Sequence, residues 1–161
     1  MTVSSTIPFH LRGNYAPVTN EISAENLEVR GSLPSELNGR YFRNGANPIT
    51  GESAHWFLGD GMIHGVRLRD GKAEWYRNRW VQTSLVKDGK KPSIDKADNM
   101  SNTSIIAYGG KLLSLMEIGF PYEINPDLST KGVYRFDSTH SIELKILCCG
   151  MHFGVCCHGS F

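Results

Sequence analysis

The stretch "MIHGVRLRDGKAEWYRNRWVQT", residues 62–83, decides the fold class. Met62, His64, Val66 and Leu68 alternate with Ile63, Gly65, Arg67 and Arg69, which is the two-residue period of a pleated strand. Asp70-Gly71 follows, a dipeptide suited to the two-residue turn of a hairpin. The return segment, from Lys72, is rich in the aromatic and β-branched types that fit a pleated surface. An antiparallel hairpin is the expectation here.

The same design recurs downstream. "TSIIAY" runs into Gly109-Gly110 and returns through "KLLSLMEI", so Ile105 to Tyr108 should pair with Lys111 to Met116. Residues 85–101 are polar and read as a loop. "YEINPDLSTKGVYRF" adds an Asn125-Pro126 turn and a short strand. Upstream, Asn44-Gly45, Asn47-Pro48 and Gly59-Asp60-Gly61 are turn chemistry that delivers the chain into the first hairpin. In "GSLPSELNGRYFRNG", Pro34 opens a short helical turn over residues 35–37 that Asn38-Gly39 stops. Residues 1–30 are irregular and polar apart from Leu27 and Val29, an arm that must dock on something else. Pro8 and Pro17 argue against an early helix. Short strands at intervals of about 8–12 residues fit a sandwich or propeller blades, and periodicity does not choose between them.

The chain has 161 residues, 40% of them hydrophobic, the size of one domain with enough apolar content for a core. Its formal charge is +1 with both signs interspersed, so no nucleic-acid-binding surface stands out. No apolar run reaches the roughly 18 residues of a spanning helix. The N-terminus lacks a signal-peptide pattern, so a cytoplasmic location is the expectation. The N-x-S/T triplets at Asn99 and Asn102 carry little weight in such a chain.

At "GSLPSELNGRYFRNGANP", "HWFLGDGMIHGVRL" and "NRWVQT" the sequence closely resembles the start of the carotenoid cleavage oxygenases, a family that includes stilbene-cleaving dioxygenases and a retinoid isomerase. The likeness runs over residues 11–136. It implies an all-β fold, the N-terminal blades of a seven-bladed β-propeller, here truncated. It also implies Fe(II) on the propeller axis, held by four histidines and backed by three glutamates. Such an enzyme uses O₂ to split a conjugated double bond of a long apolar polyene into two carbonyl products. Imidazoles suit non-haem iron, and carboxylates bonded to their far nitrogens fix ring orientation.

His55 and His64 lie nine positions apart and suggest a metal pair, but in the family the histidines of this motif are not the iron ligands. His64 therefore reads as a buried residue on the apolar face of Met62, Val66 and Leu68, hydrogen-bonded across the turn. His55, Trp56 and Phe57 read as packing, and Gly59, Asp60 and Gly61 as the turn. Glu117 matches the family position of a glutamate behind the iron. Met116, beside it, lies where stilbene-cleaving members tend to carry lysine, and its thioether suits a polyene. No metal ligand and no catalytic residue is assigned in this stretch, and the chain alone is not expected to hold iron stably.

The pattern stops at Asp137. Residues 138–161, "STHSIELKILCCGMHFGVCCHGSF", hold all four Cys and three of the six His. A zinc site from Cys148, Cys149, Cys156, Cys157, His152 and His158 uses the right ligand types, but adjacent Cys pairs lack the usual spacing. A foreign, out-of-frame segment explains the break in composition. The organisation is thus an arm (1–30), a partial propeller (31–137) and an atypical tail (138–161). The leading function is a fragment of an Fe(II)-dependent carotenoid or apocarotenoid dioxygenase, inactive alone. Its alternatives are a non-catalytic β-rich binding module and a zinc-binding regulatory fragment. Peripheral membrane contact, as a route to apolar substrate, is left open. Unpaired strand edges point to aggregation or oligomerisation of the fragment.

Overall fold

The computed structural model describes residues 7–91, 93 and 95–136, together with the backbone of Val155–His158. The zinc reading and the out-of-frame reading of the tail fall outside the side chains it describes. Nine strands form two antiparallel sheets among the described residues: β1 (Ser23–Leu27), β2 (Gly39–Ala46), β3 (Gly61–Arg69), β4 (Lys72–Trp80), β5 (Ser104–Tyr108), β6 (Lys111–Leu115), β7 (Tyr122–Ile124), β8 (Thr130–Val133) and β9 (Val155–His158). One helix, α1 (Ser84–Asp88), joins the sheets. No described helix is long and apolar enough to cross a membrane.

Both expected hairpins are present, and the turn dipeptides explain their register. Arg69 pairs with Lys72 around Asp70 (φ 48°) and Gly71 (φ 70°), both in the left-handed region that a two-residue hairpin requires. Tyr108 pairs with Lys111 around Gly109 and Gly110, also left-handed. The second sheet runs β5-β6-β7-β8 in chain order, the meander of a propeller blade. The first runs β1-β4-β3-β2-β9.

In that first sheet the N-terminal arm differs from the irregular segment expected. Its described residues make two single 3₁₀ turns, Phe9–Leu11 and Gly13–Tyr15, before residues 23–27 become β1, paired with β4 through Ser23 and Arg77, Ala24 and Tyr76. "SAENL" has no apolar alternation, so the strand exists because β4 offers an open edge. Asparagines fasten the arm. Asn78 on β4 accepts from Ile22 N (2.6 Å) and donates to Asn20 O (2.9 Å), and Asn47 holds Val18 N and O in the same way (2.7 and 2.9 Å). The turn after Pro34 is a single turn, closed by Leu37 N on Pro34 O. The loop after β4 begins as α1, capped by Thr83 accepting from Val86 N and stopped by Gly89 at φ 64°. Those two caps flank "SLVKD" in the sequence and are its readable signal.

The main core also lies on a different strand face from the one alternation suggests. Phe42, Ile63, Val81, Ile105, Leu112, Tyr122, Ile124 and Leu128 cluster between the sheets. Ile63 and Gly65, not Val66 and Leu68, look into this core. Gly65 is the reason: a Cβ there would sit 3.0 Å from ring carbons of Phe42 and 3.2 Å from a methyl of Leu128. Its missing side chain lets the second sheet close on β2 and β3.

Candidate functional site

The "HWFLGDGM" segment crosses from β2 to β3 where the sheets are joined. Leu58 N closes a turn on His55 O, and past the turn the backbone is squeezed from both sides. A Cβ on Gly59 would lie 2.9 Å from Pro48 Cδ, and one on Gly61 would overlap the carbonyl oxygen of Ser101. Asp60 between them accepts from Ile49 N (2.9 Å) through its carboxylate, while its carbonyl accepts from Asn47 N (2.8 Å). The glycines therefore serve close backbone approach as well as turning, and the aspartate pins the loop that approaches.

The packing expected of His55, Trp56 and Phe57 holds for Trp56 alone. Its ring stacks on Phe9 (5.6 Å between centroids) and takes the edge of Tyr15 (5.0 Å). His55 is exposed, with Nδ1 accepting from Phe57 N, and Phe57 is 71% exposed. In a turn, neighbouring side chains diverge, so one anchor leaves the others in solvent.

His64, read from the sequence as buried, is half-buried, and its Nδ1 lies 2.8 Å from Tyr76 Oη across the hairpin. Burial lowers its pKa below the usual imidazole value of 6.5, and the guanidinium of Arg43 on β2 lowers it further. The folded chain thus prefers neutral His64. Below about pH 6.5 the unfolded chain takes up the proton more readily, so stability falls as pH decreases through that window. Replacing His64 by Gln should flatten the fall in melting temperature between about pH 7.5 and 5.5. An unchanged slope would mean that another group controls it. Asp98, Glu123 and Asp127, lowered chiefly by hydrogen bonds from Ser84, Lys131 and Ser129, act in the separate acid range of carboxylates.

Glu117 follows the end of β6 in an exposed turn, and its Oε2 accepts from Thr103 Oγ1 (3.0 Å). No cation pairs with it among the described residues. Met116, beside it, is half-buried. Behind them lies a polar seam that the sequence did not disclose. Asn44 Nδ2 donates to Ser101 O (2.9 Å), Ser104 O (3.0 Å) and Ser114 Oγ (3.0 Å), and Ser101 Oγ donates to Ser114 Oγ (2.8 Å). Asn99 and Asn102, which read as chance glycosylation triplets, are buried here. Asn99 Nδ2 donates to Lys96 O and Phe120 O, and Asn102 Nδ2 to Phe57 O and Gly59 O. These amides bond backbone at spacings that no local motif announces.

Among the described residues, no three His, Cys, Asp or Glu side chains converge as a metal site. Glu117 belongs to no such cluster among the described residues.

Residues 15–159 match the family described as retinal pigment epithelial membrane protein. That range takes in most of the Cys-rich tail. The carotenoid cleavage oxygenase of Mycobacterium tuberculosis is 42% identical over 142 residues, covering 81% of this chain and 28% of the relative. The carotenoid 9,10(9′,10′)-cleavage dioxygenase 1 of Phaseolus vulgaris is 36% identical over 172 residues, covering 83% and 32%. The chain therefore spans about a third or less of these relatives. The lignostilbene dioxygenase of Pseudomonas brassicacearum superposes with a TM-score of 0.65 at 28% identity, over 80% of this chain and 32% of that one. The blade β5–β8, the glycine-threaded junction and these likenesses agree: the chain belongs to the carotenoid cleavage oxygenase family and carries part of its seven-bladed propeller.

Proposed function

We propose that this chain is part of a non-haem Fe(II) dioxygenase that splits a conjugated double bond of a carotenoid or apocarotenoid into aldehyde or ketone products. The observation that carries the reading is Glu117, a carboxylate with one oxygen steadied by Thr103 and, among the described residues, no cation to neutralise it. Such a group can accept the far N–H of a ligating imidazole and fix its ring. Iron, when bound, supplies the activation of O₂. Met116 adds an apolar flank suited to a polyene. The relatives named for carotenoid cleavage support this substrate class.

Because it spans about a third or less of the relatives it matches, the chain alone is expected to be inactive. Supplied anaerobically with Fe(II) and then with an apocarotenoid in air, it should retain almost no iron and release no aldehyde. Iron-dependent aldehyde from this chain would overturn the inactivity. The catalytic reading itself is tested in a full-length relative carrying this chain's sequence over the matched stretch. There Glu117→Gln should cost about 10- to 100-fold in iron retention or turnover. If both stay within about twofold, Glu117 is a solvated carboxylate and the reading loses its support.

A further inference from the structure

Two turns that are distant in sequence are both fastened to residues 99–103. One is the turn at 57–59: Asn102 is buried, and its Nδ2 donates to Phe57 O (3.0 Å) and Gly59 O (2.7 Å). The other follows β6. There Thr103 Oγ1 donates to Glu117 Oε2 (3.0 Å), Asn99 Nδ2 donates to Phe120 O (3.1 Å), and a Cβ on Gly119 would overlap the Asn99 side chain. Each turn carries one of the two most exposed large apolar side chains among the described residues, Ile118 at 77% and Phe57 at 71%. Leu58, next to Phe57, is exposed as well. Apolar side chains of this size gathered about one carboxylate differ from singly scattered ones and mark a face that an apolar ligand covers.

The two fastenings are not equivalent. Thr103 is also seated by its backbone N on Leu115 O (3.0 Å), so Glu117 keeps its partner whether or not Asn102 is present. Ser53 and His55 bond the other loop to itself, whereas Asn102 ties it to the segment that seats Glu117. Because Asn102 and Thr103 are consecutive, the apolar turn and the carboxylate are fixed to each other across a single peptide bond. We propose that Asn102 is a positioning residue for the oxygenase reaction: it holds the 57–59 turn as the apolar wall beside Glu117, and so sets the affinity for the polyene but not the hold on iron. The inference rests on the dioxygenase reading given above. An apolar chain offers few polar handles, so its placement against the reacting centre depends on the shape of the wall, and a wall adrift by about 1 Å is costly.

The test uses the full-length relative carrying this chain's sequence over the matched stretch, with Asn102→Ala and Glu117→Gln measured side by side. Bound iron is determined, then KM, and then the Kd of an apocarotenoid aldehyde for the iron-free protein, read by quenching of tryptophan fluorescence. Asn102→Ala should raise Kd and KM by about 10-fold or more and keep iron per folded chain within about twofold. Glu117→Gln should lower iron or turnover and leave Kd within about twofold. A residue that only supports the fold would reduce the active fraction, and with it the apparent kcat, while Kd and KM stay put; that outcome overturns the proposal. Iron loss from Asn102→Ala as large as that from Glu117→Gln overturns it too, since Asn102 would then act on the carboxylate. Should Asn102→Ala fail to fold, Asn102→Ser, which keeps one hydroxyl donor, is judged by the same quantities. An unmoved Kd for the Asn102 variant ends this proposal alone, whereas unmoved iron and turnover for Glu117→Gln end the catalytic reading, so the two failures are distinguishable.

Discussion

Gly61→Ala should leave the two sheets unable to close on each other. The added Cβ would overlap Ser101 O and approach Ser101 C at 2.8 Å and Met100 O at 2.9 Å, all of them backbone atoms that cannot rotate aside. Moving the loop away would break the bond from Gly61 N to Met100 O and pull Ser101 from Asn44. Overpacking at a site that cannot relax costs about 3 kcal/mol or more, a large share of the roughly 5–15 kcal/mol that holds a domain together. Gly45→Ala, where nothing lies within 4 Å of the new atom, should change stability by no more than about 0.5 kcal/mol. Urea denaturation of both variants checks the contrast. Similar midpoints would show that the junction yields more than its geometry implies.

Asn44→Ala should be the second severe change, at about 2–4 kcal/mol. One side-chain amide donates to two carbonyls and to the hydroxyl of fully buried Ser114, and it ties the Ser101–Ser114 pair to β2. Truncation removes all three bonds at once and leaves a gap beside fully buried Ser101 and Ser114, whose hydroxyls keep only their bonds within this pair. Ser114→Ala in the same background should add less than it does alone, because both residues belong to one network. Full additivity in a double-mutant cycle would mean that the seam acts as separate pairs.

The hairpins were legible because Asp70-Gly71 and Gly109-Gly110 specify their turns locally. What the sequence concealed depends on contacts between distant residues. The core face of β3 is set by the absence of a side chain at Gly65, which alternation counts as a neutral position. β1 takes its conformation from β4. Asn99 and Asn102 look like surface triplets until the chain folds them onto backbone carbonyls. Of the candidate site, Glu117 was visible only through resemblance to a family, since an exposed carboxylate after a strand has no local mark of function. Thr103, its hydrogen-bond partner, lies 14 positions earlier, on the chain entering β5.

The arm has a kinetic consequence. A hairpin contact such as His64 with Tyr76 closes over 12 positions, whereas Ile22 reaches Asn78 across 56. The longer closure carries the greater entropic penalty, and its reward exists only once β4 is already in place to receive it. Among β1 to β4, β1 is therefore the last strand to zip on and the first to peel away. Its amide protons should exchange with deuterium well before those of β3, in openings that leave the rest of the sheet intact.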